Sequence, residues 1–157
     1  MFSRIEKIAE KKFVGKNSTM SLANNRTREL WKSFMPHRNK IQNSIGHEFY
    51  SIQIYDPEFF YHFDVNREYK KWACREVENF GNIPDSLDTI VIESVLYAVF
   101  IHRGTAETAP LTFKYIFETW LPDSNYTLDN RPHLEVLGEK YKNDDPASEE
   151  EFWIPIK

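Results

Sequence analysis

Along the chain the spacing of apolar residues changes rhythm in a fixed order, and that order occurs twice. Lys12 to Thr19 reads as a strand running into small turn residues, and so does Ala98 to Thr105. A helical stripe follows in each case. In Leu30-Trp31-Lys32-Ser33-Phe34-Met35-Pro36, Leu30 and Phe34 are four apart, as are Trp31 and Met35, which makes one broad apolar face. Asn24 or Asn25 is placed to cap its start, and Pro36 to stop it. The counterpart, Ile116-Phe117-Glu118-Thr119-Trp120-Leu121-Pro122, repeats the same aliphatic and aromatic sequence, displaced by 116 − 30 = 86 residues. This second helix is expected from about Thr108, with Pro110 in its first turn and Phe113, Phe117 and Trp120 at spacings of four and three. Leu121-Pro122 closes it.

Each helix precedes two more apolar runs. Phe49 to Tyr55 alternates as a strand, and His133 to Leu137 is its counterpart. Lys71-Trp72-Ala73-Cys74 and Phe152-Trp153-Ile154-Pro155 end the halves. The order strand–helix–strand–strand therefore occurs twice, over about 5–78 and 89–157, joined by the turn-rich linker 79–88. These tandem repeats predict a single α+β domain with pseudo-twofold symmetry. It has an antiparallel sheet, two main helices on one face and a central cleft where the halves meet. One connection stands out: Tyr55 to Glu68 contains YDPEFFYHFD, too aromatic for an ordinary exposed loop. It fits either a loop tucked onto the core or a flap over a pocket mouth.

Composition narrows the function. A chain of 157 residues with 41% hydrophobic and 15% aromatic content can bury a core and line a pocket with what remains. A net charge of −4 offers no basic footprint for nucleic acid, so no direct nucleic-acid binding is expected. The locally basic stretch Arg26 to Lys40 fits the solvated side of the first helix. Cys74 has no cysteine partner, and an inert buried thiol is the expectation. No signal peptide and no membrane-length apolar run is visible, which leads to a cytoplasmic expectation with no membrane partner. The five histidines lack metal-ligand spacing and no glycine-rich phosphate loop occurs, so neither a metal nor a cofactor is expected.

Carboxylates are the remaining chemistry. Glu149-Glu150-Glu151 reads as a solvated run before the last strand. In His133 to Leu137, alternation sends Leu134 and Val136 to one face and Glu135 and Leu137 to the other. If the Leu134 face packs on the helices, Glu135 meets water. If the other face does, Glu135 lies at the bottom of an aromatic cleft. A half-buried carboxylate among aromatic rings favours large, apolar, positively charged molecules.

Several of these pieces resemble one family. LWKSFMP with its following YSIQIYD, the segment IPDSLDTIVIESVLYAVFIHRG, IFETWLP, LEVL and the terminal EEEFWIPIK occur in family order. The set is similar to the GyrI-like, AraC-type effector-binding domain family, bacterial relatives of the ligand-sensing domains of multidrug-responsive transcription activators. The resemblance implies a small-molecule cleft and places Glu135, 153 − 135 = 18 residues before Trp153, as the glutamate that meets cationic ligands. Leu137, Trp31, Tyr50, Tyr97, Phe113, Trp120 and Trp153 are the residues expected around it. Because the pattern begins within the first dozen residues, the expectation is a free-standing binder that senses or sequesters a hydrophobic, cationic small molecule. Two alternatives stay open. One is a hydrolase of reactive xenobiotics, with Glu135 as general base and Tyr97 orienting the substrate; a second polar group beside Glu135 would favour it. The other is a protein-interaction module that uses the aromatic loop.

Overall fold

In the computed structural model, which describes residues 1–157, eight strands form one antiparallel sheet. They are β1 (Phe2–Ile8), β2 (Lys11–Met20), β3 (Phe49–Ile54), β4 (Tyr69–Val77), β5 (Asp88–Ile92), β6 (Val95–Arg103), β7 (His133–Leu137) and β8 (Glu149–Ile156). The order across the sheet is β1-β6-β8-β7-β3-β4-β2-β5. Helix α1 (Thr27–Phe34) separates β2 from β3, and α2 (Ala109–Tyr115) separates β6 from β7. The α+β class, antiparallel pairing and two main helices agree with the sequence.

The strand order maps onto itself when the halves are exchanged. β2, β3 and β4 of the first half stand where β6, β7 and β8 stand in the second, and the halves join where β3 pairs with β7. Ser51 lies opposite Glu135 in that pairing, and 135 − 51 = 84 is also the offset between the halves in these strands. The exchange axis therefore passes between Ser51 and Glu135.

Two strands were not anticipated. β1 lies ahead of the first repeat's strand in a stretch of alternating charge, and β5 overlaps the linker and the following apolar run. Each pairs with the opposite half, β1 with β6 and β5 with β2. This exchange dictates the curvature of the sheet. Ile8 and Lys11 are three residues apart, so at most about 11 Å separates them. In a flat sheet their strands, six positions apart, would be about 29 Å apart. The sheet must curl until its edges meet, and Ile92 to Val95 repeats the same tight crossing. The inside of the curl is filled by Ile8, Phe13, Ile52, Trp72, Tyr97, Leu134 and Trp153 without any helix. Gly15 allows the closest approach: a Cβ there would stand 2.1 Å from the Ala73 carbonyl oxygen.

The helices cover the outer face in two separate clusters. Leu30 and Phe34 of α1 pack with Val14, Ala73 and Tyr69; the α2 region packs with Ala98, Phe100, Phe152 and Ile154. Local signals account for the helix ends with small differences. Asn25 Oδ1 accepts the Thr27 N–H, but the residue at the boundary is Arg26. Pro36 does not end the winding; it opens a 3-10 segment, Met35–Lys40. Pro110 lies in the first turn of α2, as its missing N–H permits. Beyond Tyr115 the helix widens into a π turn, Ile116–Trp120, and ends in one α turn containing Pro122. No helix is long and apolar enough to cross a membrane.

Candidate functional site

Between the two helix-covered clusters lie β3 and β7, and alternation decides what they present there. Ile52 and Leu134 point into the curl. Ser51, Gln53, His133, Glu135 and Leu137 therefore face the helix side. The Leu134 face packs inside the sheet, so Glu135 lies on the opposite face, the one the helices cover.

Glu135 is held by a short polar chain. Gln53 donates through Nε2 to Ser51 Oγ at 2.8 Å and to Glu135 Oε1 at 3.3 Å. Gln53 and Ser51 are 4% and 1% exposed, so this network is built into the sheet. A donor to the carboxylate fixes its rotamer.

That charge reaches several neighbours. Burial pushes the Tyr55 and Tyr69 hydroxyls above their ordinary range, and the Glu135 charge adds to both shifts. Tyr141, at the edge of the loop after β7, is raised by burial and then by Glu150 and Glu135. Glu150 is pushed up to about 8, first by burial and then by Glu135, against the opposing pull of Lys71. The 149–151 run is therefore not a solvated approach to the last strand. It lies within β8, and Glu150 shares the helix-side face of Phe152 two residues on. His133, buried beside Tyr55 and Phe60, is lowered to about 3 by burial and is neutral at physiological pH.

The residues expected around Glu135 divide by face. Leu137 lies on its face, paired with Phe49, whose ring meets Trp31 edge-on at 6.2 Å. Phe113 stacks on Phe152 at 4.6 Å, and Phe152 is Glu135's partner in the ladder. Trp31, Phe113, Leu137 and Glu135 are thus gathered on one side of the sheet. Tyr50, Tyr97 and Trp153 are not: strand alternation turns them into the curl with Leu134. Tyr97 has no exposed surface, and its hydroxyl donates to the Pro132 carbonyl at 2.7 Å. Trp120 faces away from the axis, stacked on Phe2 at 5.1 Å and edge-on to Phe100 at 5.0 Å.

Gln53, Ser51, His133, Glu150 and Phe60 were missed. The alternation of YSIQIYD already put Ser51 and Gln53 on one face, and Glu150 shares its period with Phe152 and Ile154; the missing information was which face the helices cover. Of the two readings of the aromatic loop, the one tucked onto the core describes Phe59. Phe59 is buried in the first-half core, while Phe60 reaches across to stack on Phe117 and His133.

Comparisons with known proteins agree with this architecture. The regulator BrlR of Pseudomonas aeruginosa is 25% identical over 132 residues; the match covers 82% of this chain and 45% of that protein, so the chain spans less than half of the regulator. Among solved structures, SAV2435 bound to tetraphenylphosphonium superposes with a TM-score of 0.65 at 16% identity, covering 100% of this chain and 94% of the other. A hydrolase encoded by lin2189 from Listeria innocua has a TM-score of 0.66 at 10% identity, with coverage of 98% and 91%. The profile of the GyrI-like small molecule binding domain matches residues 1–157, and the chain belongs to that family.

Proposed function

We propose that this small-molecule binding domain takes lipophilic cations, with Glu135 as their counter-charge. One observation carries the reading: a hydrogen-bonded carboxylate on the exchange axis, between two aromatic clusters, whose charge is felt by Tyr55, Tyr69, Tyr141 and Glu150. A bulky cation neutralises that charge, and its apolar surface finds rings on both sides. SAV2435, of the same fold, was solved with such a cation, which supports the class of ligand.

In the hydrolase alternative Tyr97 cannot orient the substrate, because it is on the opposite face of the sheet from Glu135. Gln53 does lie within hydrogen-bond reach of Glu135, but an amide neither takes nor gives a proton, so it fixes the carboxylate in either role. The test is titration of tetraphenylphosphonium, and of a neutral tetraaryl analogue, into wild type and Glu135→Gln. The variant should weaken the cation by about 1–3 kcal/mol and leave the neutral compound nearly unchanged. Equal cation affinity in both proteins would sink the counter-charge.

A further inference from the structure

The ring of Phe60 occupies an unusual place. Its loop leaves the first half after β3, and the ring stacks on Phe117 of the second half at 5.0 Å and 27°. It also stacks on His133 of β7 at 5.4 Å and 21°. Its neighbours do not follow it into the slot. Phe59 is anchored in the first-half core, and Tyr61 and Phe63 are 75% and 70% exposed.

Two cavities open beside this ring. One, of about 140 Å³, is lined by Tyr55, Phe60 and His133 together with charged residues; the other, of about 630 Å³, is lined by Phe60, Phe117, Leu121 and Tyr126. Phe60, Tyr61 and Leu128 border both, so these three form the wall between them, and Phe60 is the one stacked on His133. Withdrawal of Phe60 joins the two into a groove that reaches His133. Glu135 is two residues further along the same face of β7, about 7 Å away.

The loop is able to move without breaking the sheet. From Asp56 to Arg67 its backbone hydrogen bonds close within the segment: Phe59 to Asp56, Tyr61 and His62 to Glu58, Arg67 to Asp64. One bond ties it to the rest of the chain, from Ala23 N–H to the Val65 carbonyl.

We propose that the slot between Phe117 and His133 is an aryl subsite, held by Phe60 until a ring of an aryl-substituted cation displaces it. The inference rests on the cation-binding reading above. The slot already holds a flat six-membered ring stacked on both Phe117 and His133, and the nearby carboxylate supplies the attraction for a cationic centre attached to one. Phe60 then acts as an internal competitor. Its occupancy lowers the apparent affinity by the fraction of molecules in which the slot is closed.

Tetraphenylphosphonium titrations of wild type, Phe60→Ala and Phe117→Ala, with thermal unfolding of each, test this. Phe60→Ala is expected to tighten binding about tenfold by removing the competitor, and Phe117→Ala to weaken it by a similar factor. Should Phe60→Ala fold poorly, Phe60→Leu decides: it keeps apolar bulk without the flat ring and is expected to tighten binding a few-fold. Unchanged or weaker binding by the folded Phe60 variant overturns the aryl subsite. The counter-charge stands in that case if Glu135→Gln still weakens the cation. Absence of binding by every protein overturns both.

Discussion

The two halves share a frame and differ in what they hang on it. Across the exchange axis Ser51 matches Glu135, and Phe49 matches His133, since 133 − 49 = 84. Ala73 pairs with Ser51 as Phe152 pairs with Glu135, so the offset in β4 and β8 is 152 − 73 = 79. By that offset Lys71 matches Glu150, and Cys74 matches Trp153. The first half thus places serine, phenylalanine and lysine on the face between the helices where the second places glutamate, histidine and glutamate. Doubling supplies a symmetric face; the departures from symmetry put carboxylates on the second half's side of it.

The largest expected break in the comparison lies inside the curl. Gly15 matches Val99, since 99 − 15 = 84, and both have a buried ladder partner, Cys74 and Trp153 respectively. The second half tolerates a branched side chain there and the first cannot. A Cβ at Gly15 would meet the Ala73 carbonyl oxygen at 2.1 Å and the Cys74 Cβ at 2.5 Å, and backbone cannot step aside as a side-chain end can. Gly15→Ala should cost about 3–5 kcal/mol in urea unfolding. A loss below about 1 kcal/mol would show that the crossing strands relax freely.

The second break concerns pH, because His133 and Glu150, both displaced by burial, belong to the second half. His133 is lowered from 6.5 to about 3, so the folded chain binds fewer protons than the unfolded one in that window. Its stabilising contribution is complete above about pH 6.5 and is lost as pH falls toward 3. Glu150 is raised from 4.5 to about 8, so the folded chain binds more protons there. Its contribution is complete below about pH 4.5 and is lost as pH rises through 8. From these two groups alone, stability rises from about pH 3 to 4.5, stays level to about pH 6.5 where the two opposite slopes cancel, and falls toward pH 8. His133→Phe, which installs the first-half residue, should flatten the acid limb. Glu150→Gln should flatten the alkaline limb and stabilise the chain at pH 9, each by on the order of 2–3 kcal/mol. Urea midpoints from pH 3 to 9 measure both. Unchanged limbs would place these side chains in contact with water.

How much of this was legible in the sequence depended on range. Helix positions followed from short-range spacing: Leu30 with Phe34, and Phe113 with Phe117, each declare a face within one turn. That two halves meet followed from the repeat; that they meet through β3 and β7 did not. β1 and β5 were hidden because their partners lie about a hundred residues away in the first case and in the opposite half in both; no local period records such an exchange. The same gap misplaced the aromatics. Tyr50 and Trp153 alternate with residues of the other face, but alternation does not say which face the helices cover. The curl gives the sheet a second apolar interior, so apolar residues are required on both sides and composition could not break the tie. Glu150 was overlooked because three successive glutamates resemble a solvated run until their alternation is followed into Phe152 and Ile154.

The smallest effect is expected where the two faces are separated most cleanly. Tyr97 and Glu135 lie on opposite sides of one sheet, and Tyr97 uses its hydroxyl to hold the Pro132 carbonyl just before β7. Tyr97→Phe keeps the ring packed against Trp153 at 5.7 Å and removes only that hydrogen bond. The expected loss is about 1 kcal/mol of stability, since a half-buried carbonyl is left without its donor. Cation affinity should stay within about twofold of wild type, because neither the charge nor the rings beside Glu135 are altered. Unfolding and tetraphenylphosphonium titration of the same variant separate the two roles. An affinity loss larger than the stability loss would mean that the position of β7, and with it Glu135, depends on the Pro132 anchor. The two faces would then be coupled through the backbone even though their side chains never meet.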